Sequence, residues 1–445
     1  MLENLPLPEP IRNVLSAALQ AVDPYQAVVR ALTAPDKATQ QALASAQRWI
    51  VVALGKAAFP MAKAAADILG ERIARGVVVT KRGHASGEIP RFRMIEAGHP
   101  VPDAGSRRGA AAILAAVEDA GPADAVLVLI SGGGSALATA PRLPLTLADL
   151  QRTTQLLLAS GATIEEVNTV RKHLDSIKGG GLAKAAAPAQ VVTLVLSDVL
   201  GDPLDAIASG PTVPDPTTFA DAWQVLTRYH LTERLPSRVR ALLQSGLRGE
   251  IPETPKPGDP VFARVHHRVV GNLRLAAEAA LQGARAEGFA AEIATTTLQG
   301  EAREVGRVLA AVLQEMAQHQ HPLPRPACLI WGGETTVTLG EQYGLGGRNQ
   351  ELALAAVRPL AGLQEVWLVA FATDGTDGPT DAAGAVATGE TWQRACSLGL
   401  SPAEALARHD AYPFWMQVGG LLRSGPTQTN VNDLILLVAG LPQQT

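Results

Sequence analysis

Short apolar runs of strand length alternate along this chain with alanine- and leucine-rich stretches of helical periodicity. The runs RWIVVAL, GVVVT, FRMIEAG, DAVLVLI and QVVTLVL begin at residues 48, 76, 92, 124 and 190, and helical stretches lie at 105–120 and 147–160. Strands that are buried on both faces read as continuous apolar runs, so this alternation indicates a mainly parallel sheet covered by helices. The pattern therefore predicts an α/β fold.

The length of the chain predicts two domains, because 445 residues exceed what one hydrophobic core usually serves. A proline-rich segment between 211 and 260 interrupts the alternation of strands and helices, which then resumes. We accordingly expect an N-terminal α/β domain at 1–255 and a C-terminal α/β domain at 256–445.

Charge and apolar content limit the classes of partner. Lysine and arginine number 38 against 42 aspartate and glutamate residues, and no basic run stands out, so we expect no nucleic-acid partner. The first residues lack the pattern of a secretory signal, and no apolar run reaches the roughly 20 residues of a spanning helix, so we expect neither export nor a membrane partner. Cys328 and Cys396 suit a reducing compartment as small buried side chains. These features predict a soluble, cytoplasmic protein.

The segment VLVLISGGGSAL carries the strongest single motif. A buried strand runs directly into five small residues, Ser131, Gly132, Gly133, Gly134 and Ser135. Successive glycines let backbone N–H groups point into one concavity that suits phosphate or carboxylate oxygens. The alternative is a flexible strand-to-helix turn, but the position at the end of a strand favours a binding loop.

Charged residues also follow predicted strands. Lys56 ends the first apolar run, where it could neutralise phosphoryl charge, although a Gly-Lys pair is often only a surface turn. Asp198, Glu334 and Asp374 follow later strands. Mg²⁺ prefers such hard oxygen ligands, but aspartates are also ordinary turn formers. The repetition at strand ends favours a magnesium-nucleotide site.

Three further polar residues are candidates for binding an anionic substrate. Arg348 lies between a glycine loop and a helix in GLGGRNQELAL, where it could meet phosphate in a bidentate fashion; the alternative is a helix cap by Asn349 beside a solvated arginine. Arg171 in NTVRKHLD either reaches substrate or belongs to a solvated face. Asn432 precedes the last apolar run, where an Asx turn explains it equally well. We interpret His99 as structural, because it lacks metal-ligand spacing.

Familiar nucleotide-binding motifs are missing from the sequence. It contains no G-x-x-x-x-G-K-[ST] loop, no protein-kinase motif set and no G-x-G-x-x-G after a strand. Neither of the common phosphotransferase classes nor a dinucleotide-binding domain is supported.

Several long strings in order resemble the glycerate 2-kinase family, whose C-terminal region is known as the MOFRL domain. They are LISGGGSAL, NTVRKHLDSIKGGGLA, LVLSDVLGDPLDAIASGPTVPDPTT, GGETTVTLG followed by GLGGRNQELAL, and ATDGTDGPTDAAG. The resemblance implies a Rossmann-like N-terminal domain, an active site in a cleft between the domains, and transfer of phosphate from ATP, with Mg²⁺, to D-glycerate to give 2-phosphoglycerate. It also implies that Lys56 and Arg348 are the positive pair that serves phosphoryl transfer.

The sequence also predicts roles for two aspartates and leaves two alternative functions. We expect Asp198 to be the base for the glycerate hydroxyl, and Asp198 and Asp374 to be metal ligands. One rival is an NAD(P)H-dependent hydroxypyruvate reductase, which would bind a cofactor without the usual fingerprint. The other is a non-catalytic sensor of small carboxylic acids. The sequence leaves open whether the protein forms a homodimer.

Overall fold

Twelve strands form two sheets in the computed structural model, which describes residues 2–443. The strands are β1 (Arg48–Leu54), β2 (Ile73–Lys81), β3 (Phe92–Ala97), β4 (Asp124–Ile130), β5 (Gln190–Leu196), β6 (Val265–Gly271), β7 (Ala290–Leu298), β8 (Ala327–Gly333), β9 (Val366–Ala372), β10 (Gly384–Thr388), β11 (Leu421–Leu422) and β12 (Asp433–Ala439).

Helices of different lengths connect these strands. They are α1 (Glu9–Ala21), α2 (Pro24–Thr33), α3 (Lys37–Ser45), α4 (Ala58–Leu69), α5 (Ala104–Val117), α6 (Gly134–Leu137), α7 (Leu147–Ala159), α8 (Ile164–Leu174), α9 (Gly181–Ala186), α10 (Phe219–Arg228), α11 (Ser237–Leu247), α12 (Leu273–Ala286), α13 (Ala302–His319), α14 (Arg348–Ala356), α15 (Thr391–Ser397), α16 (Pro402–Ala407) and α17 (Ala411–Val418). Among the described residues, no helix combines the length and the apolar character needed to cross a membrane.

The first sheet has the strand order β3-β2-β1-β4-β5-β6, and the pairs from β3 to β5 are parallel. Every residue of β4 and β5 is buried, as expected for strands covered on both faces. The strands predicted at the start of the chain are therefore confirmed, and so is the α/β fold class.

The direction of chain progress reverses between β1 and β4. From β1 the chain moves outward through β2 and β3, then returns to place β4 on the other side of β1. The ends of the two strands are level, because Leu54 pairs with Ile130. In open α/β sheets, ligands bind at the carboxyl ends of the strands where the order reverses. The loops that follow Leu54 and Ile130 occupy this place.

The second sheet has the order β11-β10-β9-β12-β8-β7 and is mixed. The last strand, β12, lies antiparallel between β8 and β9, whereas β7 and β8 are parallel. The central pairing aligns Asp433 with Gly333 and with Ala372, so three loops with polar residues end at the same edge. A core built around Trp415, Leu352 and Leu437 packs on this sheet.

The chain divides into two compact units. Their boundaries differ from those of the predicted domains, 1–255 and 256–445, at the start of the chain and after residue 255. One unit is Pro24–Val270, and the other contains the described residues up to Asp23 and from Gly271 onward. The N-terminal helix α1 packs on α12, where Asn13 Nδ2 donates to Glu287 Oε1 at 2.8 Å. The segment after 255 stays with the first unit because β6 joins the first sheet.

The two cysteines differ in exposure. Cys328 is buried in β8, as predicted, but Cys396 is exposed, so that prediction was wrong. The short helix α15 buries Thr391 and Ala395, and Cys396, the residue after Ala395, turns away from the core.

Candidate active site: an open glycine loop and a paired arginine

The glycine loop and the Lys56 turn are held together by backbone hydrogen bonds in the Pro24–Val270 unit. Ser131 N donates to Leu54 O at 3.0 Å, and Lys56 N donates to Gly132 O at 2.9 Å. The hydroxyl of Ser131 is buried and accepts a bond from Ala57 N at 3.0 Å. Ser131 thus positions the two loops against each other, although the sequence suggested that it binds phosphate.

Close approach of the two loops requires glycine at position 55. This residue has a φ of +128°, and a Cβ there would lie 2.1 Å from Ser131 Oγ. Any other side chain would be strained and would also push the loops apart. Gly55 therefore determines the position of the Lys56 backbone relative to the glycine loop.

The backbone donors of the glycine loop are open. No N–H group of the four residues Gly132, Gly133, Gly134 and Ser135 donates to an acceptor among residues 2–443. Gly133 adopts the left-handed conformation, with φ +83° and ψ −4°. A run of N–H groups around such a residue forms a concave anion site. The geometry thus suits an anion, as the sequence predicted.

A second glycine triplet shows that three glycines alone do not make such a site. Gly179 N donates to Ser209 O at 3.0 Å, Gly180 N to Gly210 O at 2.8 Å, and Gly181 N to Lys178 O at 3.0 Å. All three donors are used within the fold. This triplet is a structural turn.

The backbone of Lys56 is held in place, whereas its charged group has no partner in the part of the chain that the structure describes. Its carbonyl accepts a bond from Thr80 Oγ1 at 3.4 Å and lies 3.2 Å from His84 Nδ1. The side chain is partly buried beside Gly133, and its ammonium group makes no hydrogen bond or ion pair with the described residues. A positive charge next to four open donors strengthens the attraction for anions.

His99 lies against the same loop, a placement that the sequence did not predict. A Cβ at Gly133 would be 3.0 Å from His99 Nε2. Burial, followed by the charges of Lys56 and Lys81, lowers the pKa of His99 to about 4, so the ring is neutral at pH 7. The signal was available, because His99 follows β3 by two residues just as Lys56 follows β1.

Asp198, which follows β5, brings a carboxylate to the loop. A Cβ at Gly132 would lie 2.0 Å from Asp198 Oδ2, so this oxygen packs directly on the glycine. A carboxylate and an incoming anion repel each other unless a cation or a proton lies between them. The roles of Asp198 as a base and as a metal ligand stay predictions.

The far end of the loop is tied to α8. Ser135 Oγ lies 2.7 Å from Ser209 Oγ, which donates to Asn168 Oδ1 at 3.0 Å. Ser209 and its neighbour Ala208 have positive φ angles of 59° and 52°, a conformation that is rare for residues other than glycine. One turn after Asn168, Arg171 lines a cavity that also touches Ser135.

Arg348, in the other unit, is already paired. Its Nε and Nη2 donate to the two oxygens of Asp433 at 2.5 and 2.9 Å, and its Nη1 donates to Glu334 Oε1 at 2.8 Å. Burial opposes the charged guanidinium, but the bonds to Asp433 outweigh it and raise the pKa of Arg348. The alternative of a solvated arginine was wrong.

Glu334 and Asn432 join this arginine cluster. Asn432 Nδ2 donates to Glu334 Oε2 at 3.4 Å, and Asn432 holds a positive φ of 71°. Burial raises the pKa of Glu334, and Arg348 partly offsets this effect. Three of the predicted binding residues, Arg348, Glu334 and Asn432, therefore do lie together.

The helix that carries Arg348 is capped from elsewhere in the chain. The N-cap residue is Gly347, which offers no side chain, and Asp377 accepts bonds from Asn349 N at 3.1 Å and Gln350 N at 2.9 Å. Burial raises the pKa of Asp377 to about 7, against these N–H bonds. The suggested cap by Asn349 was wrong, because the helix begins one residue earlier, at Arg348.

Asp374, a predicted metal ligand, makes an Asx turn: its Oδ1 accepts bonds from Thr376 N at 2.9 Å and Thr376 Oγ1 at 3.1 Å. Within residues 2–443, no three His, Cys, Asp or Glu side chains are grouped as a metal site. Magnesium that arrives with a nucleotide needs only one or two carboxylates, so Asp198 and Asp374 stay predictions as its ligands.

Comparison with known proteins covers nearly the whole chain. Residues 10–244 match a family described as a domain of unknown function, DUF4147, and residues 327–433 match the MOFRL family. The chain is 46% identical over 429 residues to the glycerate 2-kinase of Pyrococcus horikoshii, covering 96% of each chain. It is 47% identical to the D-glycerate 2-kinase of Thermotoga maritima, covering 90% of this chain and 94% of that protein.

A solved structure and a differently named relative add to this. The crystal structure of glycerate kinase from Thermotoga maritima superposes with a TM-score of 0.87 at 44% identity, covering 96% of this chain and 97% of that one. A relative from Agrobacterium vitis, 43% identical over 97% of this chain and 94% of its own, is named only provisionally as a hydroxypyruvate reductase. The chain belongs to the glycerate 2-kinase family.

Proposed function

We propose that this protein transfers the γ-phosphate of ATP to the 2-hydroxyl of D-glycerate. The proposal rests on the N–H groups of Gly132–Ser135 and the neighbouring ammonium of Lys56, none of which has a partner within residues 2–443. Phosphoryl transfer needs positioned groups that compensate negative charge more than it needs covalent help. The glycine loop and Lys56 supply positioned groups of this kind.

In this proposal the glycine loop binds phosphate oxygens and Lys56 compensates the charge that develops during transfer. The loop is rigid at both ends, because Ser131 is bonded to Ala57 and Ser135 to Ser209. Donors that are fixed in advance need no reorganisation at the moment of reaction. The fixed N–H groups can therefore stabilise the negative charge that develops on the phosphate during transfer.

The proton of the glycerate hydroxyl goes to Asp198 in our proposal. Its carboxylate lies on Gly132, so it is next to the position proposed for the phosphate and can also meet a cation there. Magnesium that is bound with the nucleotide would neutralise phosphate charge. His99, neutral and near Gly133, has two ring nitrogens without a partner among residues 2–443 and can hydrogen-bond to either reactant.

Arg348 has one edge that can be released for phosphate. Asp433, whose side chain is only 2% exposed, holds two of its nitrogens, whereas Glu334, 44% exposed, holds the third. The exposed single bond is the weaker one. We propose that a phosphate oxygen replaces Glu334 at Nη1 while Asp433 keeps the guanidinium in place.

Hydroxypyruvate reduction is the second candidate, because a relative carries that name. It requires a nicotinamide site, and the loop after β4 reads S-G-G-G-S rather than G-x-G-x-x-G. Oxidation of NADH or NADPH with hydroxypyruvate by the purified protein would support it.

We also propose that the protein acts in the cytoplasm. ATP is available there, and the free thiols of both cysteines are consistent with a reducing compartment.

The experiment that tests the kinase function measures ADP release with D-glycerate, L-glycerate, glycerol and D-lactate, followed by phosphorus NMR of the product. We expect D-glycerate to be preferred and the product to be 2-phosphoglycerate. Absence of ADP with all four compounds would refute the kinase.

A further inference from the structure

A cavity beside the glycine loop contains an arginine, Arg171, that has no partner among residues 2–443. α7 and α8 form its apolar wall with Leu150, Leu157 and Leu174, and its polar side includes Ser135, Thr154 and Arg171. Because Ser135 also contributes one of the open N–H groups, the cavity adjoins the proposed phosphate site directly.

The other charges in this cavity compensate each other. Lys178 Nζ donates to Asp175 Oδ2 at 2.8 Å and to Ala138 O at 2.9 Å, and both of these charged residues are buried. Asp175 also accepts bonds from the N–H groups of Ala140 at 3.2 Å and Ile177 at 3.0 Å. Lys178 and Asp175 thus form a closed pair.

Arg171 is different, because its guanidinium makes no hydrogen bond or ion pair with the described residues. Burial lowers the pKa of Arg171, and the charge of Asp175 opposes that effect only in part. The next residue, Lys172, shows the contrast: it is buried and lies 3.3 Å from Asp205 and 3.5 Å from Asp215. A partly buried, unpaired arginine is costly unless an anion completes it.

The cavity favours a carboxylate over a second phosphate. One uncompensated positive charge matches a monoanion, and an apolar wall of leucines would disfavour a doubly charged group. An arginine fork binds carboxylate oxygens in a bidentate fashion. In glycerate the carboxylate is on the carbon that carries the 2-hydroxyl, so an acid held here would present that hydroxyl next to Ser135.

We propose that Arg171 binds the carboxylate of the substrate in this cavity, which makes it the residue that selects hydroxy acids over neutral alcohols. The assignment rests on the proposed kinase function and adds the site of acid recognition to it. Thr154, on the polar side, is a second donor for the same carboxylate.

The test compares a charged and a neutral substrate in matched variants. Arg171→Met removes the fork, and Arg152→Met is the control, because Arg152 is exposed on α7 outside the cavity. We expect Arg171→Met to lower kcat/KM for D-glycerate by roughly 10- to 100-fold, mainly through KM, the range for a lost hydrogen bond to a charged group. The KM for ATP, and kcat/KM for glyceramide, should not change.

Arg171→Lys should recover part of the loss, because it keeps the charge but not the fork. An unchanged KM for D-glycerate in Arg171→Met, or equal losses with D-glycerate and glyceramide, would overturn the proposal. Calorimetric titration of D-glycerate into wild-type protein and Arg171→Met separates this from failure of the kinase. If the wild-type protein released no ADP, loss of acid binding in Arg171→Met would still support the carboxylate site, and equal binding would refute it.

Discussion

The glycine loop with Lys56 and the cluster around Arg348 are built on opposite principles. The first leaves four N–H groups and an ammonium without partners in the described part of the chain, whereas the second pairs its guanidinium with two carboxylates. Open donors are available to a ligand and contribute little to the fold. Paired groups hold the fold, and releasing one of them costs stability. Changes in the first region should therefore leave stability unchanged, whereas changes in the second should lower it.

The largest effect should come from Lys56→Ala. We expect kcat to fall by roughly 10²- to 10³-fold, the usual loss for one preorganised charge contact, while Tm stays unchanged because the ammonium bonds to no described residue. Steady-state kinetics and a melting curve measure both. Lys184→Ala, an exposed lysine on α9, is the control. Near-normal turnover in Lys56→Ala would remove this residue from the mechanism.

Asp433→Asn should destabilise the cluster around Arg348. The variant leaves the guanidinium of Arg348 without its buried counter-charge, and we expect a loss of about 2–3 kcal/mol in the free energy of unfolding. A clear fall in Tm for Asp433→Asn, with none for Lys56→Ala, would confirm that only the second region supports the fold. If Asp433→Asn melted like the wild type, the cluster would not support the fold.

Asp377 adds a pH dependence to the same region. Its pKa is raised to about 7 in the folded protein, so the native state keeps a proton that the unfolded state releases near pH 4. Stability should then fall as pH rises from 4 to 7, by at most about 1.4 kcal/mol per pH unit. Asp377→Asn cannot ionise, so the Tm advantage of the wild type over this variant should shrink across that interval. A constant difference would show that Asp377 ionises normally.

The smallest effect should come from Glu334→Gln. Its side chain is 44% exposed and makes one bond to Arg348, so its removal should change the free energy of unfolding by less than about 1 kcal/mol. Chemical denaturation of this variant beside Asp433→Asn measures the contrast. Equal losses in the two variants would mean that Glu334 cannot be released for phosphate.

The parts of this site that depend on strand ends could be predicted from the sequence. The apolar runs located β1 and β4, and residues that follow parallel strands meet at one edge, so Lys56 and the glycine loop were found together. The same rule applied to β3 would have found His99. The requirement for metal-ligand spacing was the wrong filter for this histidine.

Other parts could not be predicted, because they depend on partners that are distant in the chain. Arg348 and Asp433 are 85 residues apart and meet only because β12 inserts between β8 and β9. The cap of α14 comes from Asp377, on a loop 28 residues further along. Nor does the motif alone distinguish open donors from paired ones, since GGG occurs at 132–134 and again at 179–181.

The two glycine triplets allow a direct test of whether the loop after β4 binds the transferred phosphate. Protein labelled with ¹⁵N-glycine would be titrated with a non-hydrolysable ATP analogue and D-glycerate, and the amide signals would be followed by NMR. We predict large shifts for Gly132, Gly133 and Gly134 and small ones for Gly179, Gly180 and Gly181, whose N–H groups are already bonded. Unshifted signals at 132–134, or equal shifts in both triplets, would contradict the account.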